Sequence, residues 1–248
     1  MAFNSTNRKY SRVKSEELEL ANTLVERLSS KRVRILSPAT EPITPKVVWE
    51  IQSFVQLTIH RVVDLTNAIS EFWERNRPAV SFILTRAILE NAAVLFDVTS
   101  SIETSVKQSN FPEIHEAIVD RLVGGKHESS PRTVPNILSA IDKVDKVHKG
   151  FRIAYDDLSE YVHPNYSGMQ WLYGKLNKEK IYLELDAALG ANDLTLPAFF
   201  IPLASALQII NQTIERLESL YPAIWELSEE DRIKGASPNT SNNVAPSL

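Results

Sequence analysis

Apolar residues recur at helical spacing along most of this chain. Leu18, Leu20, Leu24, Val25 and Leu28 follow the Ser15-Glu16-Glu17 start, a helix opened by a capping residue and acidic side chains. Ser37–Pro45 contains three prolines and reads as a linker. Val47, Val48, Ile51, Phe54, Val55, Ile59, Val62, Val63, Ile69 and Phe72 then trace a long amphipathic helix. Arg77-Pro78 ends or bends it, because the residue before a proline is pushed out of helical geometry. Ser81 to Phe96 is apolar nearly all round, the mark of a buried helix.

Further helices are predicted for Phe111–Val123 and Pro135–Val147, with the polar loop Gly124–Pro131 between them. Another spans about Gly150–Val162 and is stopped by Pro164. Met169–Tyr173 and Lys180–Leu185, rich in aromatic and β-branched residues around Gly174–Asn177, predict a hairpin within 168–187. Leu196–Tyr221 returns to helix, and Ala223–Ile233 adds one more. The expected architecture is mainly all-α: a flexible arm over 1–14, one helical-bundle domain over 15–234 with a small β-hairpin insertion, and a disordered tail over 235–248. The tail's Ser, Asn, Pro and Ala cannot bury enough apolar surface to order it.

Composition narrows the chemistry. Cysteine is absent, which excludes disulfides, thiolate metal sites and cysteine nucleophiles. A net charge of −4 disfavours bulk attraction to nucleic acid or anionic membranes. The N-terminus has no apolar signal core. The apolar run Leu194–Ile210 is interrupted by Pro197, Pro202, Ser205 and Gln208, so no membrane span is expected there. A cytoplasmic location follows as the expectation. No phosphate loop, dinucleotide fingerprint, nucleophile elbow or zincin motif occurs, and neither a metal nor a cofactor is expected.

Two constellations stand out. At 100° per residue, Arg152, Asp156, Ser159 and His163 share one face of the Gly150–Val162 helix, with Tyr155 at its edge. Phe151, Ala154, Leu158, Tyr161 and Val162 form the opposite, core-facing stripe. The second is Arg86 and Glu90, the only charges between Ser81 and Phe96. Buried charges are costly unless paired or facing a cleft. Each constellation has a plain structural reading, as an i,i+4 ion pair or a histidine cap. The functional reading joins them into one pocket, with Glu160 and Asn165 at its margin. The pair Arg121-x5-His127 and the basic cluster Lys31, Arg32, Arg34 rank lower, as loop and solvated face.

"LTRAILENAAVLF" and "ILSAIDKVDKVHKGFRIAYDDLSEYVHPNYSG" resemble a widespread group of bacterial helical proteins without an assigned activity. These carry Arg-x-x-x-Glu, Ile-Asp-x-Val-Asp-Lys and Tyr-Asp-x-Leu-Ser-Glu-x-x-His-Pro-Asn segments, matched here over about Arg86–Tyr173. More distantly the helical layout is similar to HEPN-type domains of toxin and phage-defence systems, many of which cleave RNA without metal through Arg-x4–6-His at a dimer interface. Here ten residues separate Arg152 from His163, and Arg121 and His127 flank two glycines. Two functions are therefore expected. One is a binding or regulatory module whose polar pocket takes a protein partner or an anionic ligand. The other is a metal-independent ribonuclease, homodimeric as the resemblance implies, in which His163 exchanges protons while Arg152 or Arg86 stabilises the phosphorane.

Overall fold

The computed structural model describes residues 3–4, 10, 13–39, 44–125, 127, 129–130, 132–133, 135–192 and 194–236. Eight helices are described: α1 Ser15–Ser30, α2 Lys46–Glu74, α3 Pro78–Lys107, α4 Phe111–Leu122, α5 Ile137–Val147, α6 Phe151–Val162, α7 Thr195–Ser219 and α8 Tyr221–Ala236. The fold is a mainly all-α bundle with a small hairpin, as the periodicity predicts.

α3 is the axis. It touches α2, α4, α5, α6, α7 and α8, and Phe82, Ile88, Leu89, Ala92, Ala93, Leu95 and Ile102 are wholly buried along it. By length and composition it could cross a membrane, but 56% of its most apolar window is buried against the other helices. Local signals set its ends. At the α2–α3 junction Asn76 takes φ 57°, Arg77 N–H donates to Phe72 O and Asn76 N–H to Trp73 O, a Schellman stop. Pro78 then opens α3, where its missing N–H costs nothing. The same device closes α3, with Ser109 at φ 54° and Asn110 N–H donating to Ser105 O.

The hairpin pairs β3, Gly174–Asn177, antiparallel with β4, Tyr182–Leu185. Met169–Tyr173 is not strand, contrary to the sequence expectation: Tyr166–Trp171 forms a π-helical turn. Asn165 Oδ1 caps that turn by accepting from Gly168 N–H. A Cβ on Gly168 would lie 2.0 Å from His163 O, so only glycine fits. A second strand pair, parallel and two residues long, joins β1, Gly124–Gly125, to β2, Arg132–Thr133; the sequence reading had only loop there.

The N-terminal arm also needs correction. Phe3, Tyr10 and Val13 are core residues. Phe3 packs edge-on against Phe200 and Tyr10, its N–H donates to Asn22 Oδ1, and Asn22 Nδ2 donates back to Phe3 O. Tyr10 OH bonds Ser70 Oγ at 3.0 Å. Apolar residues thinly spaced in a polar segment carry no period, so only the cavity they fill reveals them. At the other end α8 runs to Ala236, past the expected start of the tail at 235; residues 237–248 lie outside the described residues.

Candidate functional site

The expected reach from α3 to α6 occurs at Tyr155. Arg86 Nη2 donates to Tyr155 OH at 2.8 Å, and Tyr155 OH donates to Glu90 Oε1 at 3.2 Å. Arg86 Nε lies 3.5 Å from Glu90 Oε1, and the guanidinium stands 5.0 Å over the Tyr155 ring. The triad is half-buried, which explains how α3 tolerates two charges: each is neutralised by the other and tied through one phenol.

Tyr155 is not at the edge of a polar face. Phe151, Tyr155 and Leu158, spaced i, i+4, i+7, are the buried residues of α6. Ala154 and Tyr161 pack against the same core, so the expected stripe faces inward with Tyr155 added to it. The polar array consequently faces outward and divides. Arg152 Nε binds Asp156 at 2.8 Å and its Nη1 binds Asp142 of α5 at 2.7 Å. Those carboxylates, Asp156 first, raise the Arg152 pKa above its ordinary value. Ser159 Oγ donates within the helix to Tyr155 O, and Asn165 Nδ2 donates to Glu160 Oε2. His163 is exposed at the α6 C-cap, in extended geometry before Pro164. Nothing joins it to Arg86 or Arg152: among the described residues its imidazole makes no hydrogen bond or ion pair. Three local clusters therefore stand where one pocket was expected.

A cleft of about 400 Å³ opens between α3, the α5–α6 turn and α7, and its lining includes Leu89 and Ala154, the sequence neighbours of Glu90 and Tyr155. Leu89 of α3 and Phe151 and Ala154 of α6 meet Ile201, Pro202 and Ile209 of α7. His148, Lys149 and Gly150, the turn joining α5 to α6, close one side. Gly150 takes φ 91°, and Asp145 Oδ1 pins the turn by accepting from Gly150 N–H and Arg152 N–H. Those bonds, Arg152 N–H foremost, hold the Asp145 carboxyl below its usual range. Ser205, Gln208 and Gln212 complete the rim. Their side chains and that of His148 make no hydrogen bond among the described residues, leaving several donors and acceptors free above an apolar floor.

Sequence reasoning missed this cleft. Its readable signal was the series Ile201, Ser205, Gln208, Gln212, Arg216, at spacings of three and four along α7. That is one helical face. Ser205 and Gln208 were read only as interruptions of a membrane span. Among the described residues no three His, Asp or Glu side chains gather as metal ligands. No protein-family model matches the chain, and neither curated proteins nor solved structures give a significant match.

Proposed function

We propose that the chain is a binding or regulatory module that takes a small ligand in the cleft between α3, the α5–α6 turn and α7. One observation carries the reading: His148, Ser205, Gln208 and Gln212, whose side chains make no hydrogen bond among the described residues, ring a concave apolar floor. Ligand sites combine an apolar lining with a few such groups that fix orientation. The Arg86–Tyr155–Glu90 triad fits this role as a brace that fixes α6, one wall of the cleft, to α3. The ribonuclease reading draws less support. It needs His163 beside an arginine, and both candidate arginines are already engaged elsewhere.

The test is a ligand-detected NMR screen of a fragment set against the native chain and Ser205→Trp. Ser205 is exposed, so an indole there fills the cleft without entering the core. Fragments that bind the native chain and lose binding to Ser205→Trp are the expected result; hits indifferent to the substitution place binding elsewhere. RNA incubated in EDTA with native protein and His163→Ala should remain intact in both, and cleavage that vanishes in His163→Ala would restore the alternative.

A further inference from the structure

The cleft continues beyond its polar end. Past His148 and Gln212 it opens into a groove of about 580 Å³ lined by Phe96, Ser100, Lys143, Lys146, Thr213 and Arg216. His148 and Gln212 line both compartments, so the two form one trough. α3 makes its floor through Leu89, Phe96 and Ser100, and α7 makes one wall from Ile201 to Arg216. The α5 C-terminus and the α6 N-terminus make the other wall.

The character of the trough changes along its length. The α6 end carries the apolar side chains Phe151, Ala154, Ile201 and Pro202, with Lys149 at its side. Ser205, Gln208 and Gln212 occupy the middle. The α5 end carries cations. Lys143 and Arg121 both bind Asp97, and Arg216 binds Glu103 in bidentate fashion at 2.7 and 3.0 Å. Lys146 is exposed and has no ion pair among the described residues. Lys143, Lys146 and Arg216 thus line this end, and no carboxylate is among the side chains that line it. The other carboxylates nearby are engaged too: Asp145 accepts from the α5–α6 turn, and Glu113, farther along, accepts from Ser105 Oγ.

We infer that the trough binds an amphipathic anion, a linear apolar chain ending in a carboxylate or phosphate. The chain lies against Phe151, Ala154 and Ile201, and the head sits by Lys146, His148 and Arg216. This rests on the cleft being the binding site and adds the ligand's chemical class and orientation. Charge complementarity selects the head, because Lys143, Lys146 and Arg216 line the α5 end and no carboxylate lines it. Apolar burial supplies the attraction at the α6 end.

Calorimetric titration with decanoate, decyl phosphate, decanol and decylammonium, each below its aggregation concentration, tests the inference. The two anions should bind at least tenfold more tightly than the alcohol and the amine. Lys146→Glu should weaken the anions at least fivefold and leave decanol unchanged, while Ile201→Glu should weaken all four. Both sites are exposed, and unchanged thermal midpoints of the free variants check that each still folds. Equal binding of all four probes, or anion binding indifferent to Lys146→Glu, overturns the inference. If that binding is still lost in Ser205→Trp, the cleft survives as a site without charge selection. If none of the probes binds, the inference also falls, and the fragment screen decides the broader reading separately.

Discussion

Tyr155 shows how one side chain can join two readings of a sequence. Its ring is core and its hydroxyl bridges two charges on α3 that also pair directly at 3.5 Å. Tyr155→Phe keeps the ring and removes a hydrogen bond from each charge, so a loss of about 1–3 kcal/mol in urea unfolding is expected. A change under about 0.5 kcal/mol would mean that water replaces the phenol. Tyr10 offers a pH-dependent counterpart. Burial pushes its pKa up to about 12, so the folded state holds the phenolic proton more tightly than the unfolded chain. That contribution to stability is full below pH about 10, the ordinary tyrosine value, and is lost as pH rises toward 12. The thermal midpoint should fall across this window, and Tyr10→Phe should flatten the fall. Tyr221 is also raised by burial, so part of the slope should persist.

At the scale of elements, the helices were legible wherever a period ran long enough. α2 and α3 could be read from their apolar stripes, though α3 runs a full eleven residues beyond Phe96, because its later apolar positions are mixed with Ser and Thr that also become buried. The stretch after α6 was not legible. Aromatic and β-branched residues in Met169–Tyr173 suggest a strand, yet the Asn165 cap and Gly168 draw the backbone into a wide turn first. The α5–α6 turn gives a sharp prediction. Gly150 has open space around a would-be Cβ, so Gly150→Ala should cost about 1–2 kcal/mol through its left-handed backbone alone. Its effect on ligand binding should exceed that of an equally destabilising change in α1, since this turn forms the cleft's side. Matched thermal melts and probe titrations make the comparison.

For the molecule as a whole, one core extends from Phe3 to Ile224, and α3 is common to most of it. Ile88→Ala, wholly buried in α3, should cost about 2–5 kcal/mol. Phe3→Ala should cost about 3–5 kcal/mol, far more than a residue in a loose arm could; a loss below about 0.5 kcal/mol would detach the N-terminus from the core.

Helix class and helix order follow from local periodicity and from stops such as Arg77-Pro78, whose physics acts within a few residues. The sequence by itself also marked Arg86 and Glu90 as needing a partner on another helix, because an apolar helix has no other place for charge. What the outward face of α6 pairs with was decided only in three dimensions. Phe151 and Leu158 turn inward as their spacing predicts, and Tyr155 turns in beside them to reach Arg86 and Glu90. Arg152 and Asp156 pair with each other and Arg152 also with Asp142, which leaves His163 apart. The cleft belongs to tertiary structure as well, since its walls come from residues as far apart as Leu89 and Gln212, and no local pattern records which helix faces meet.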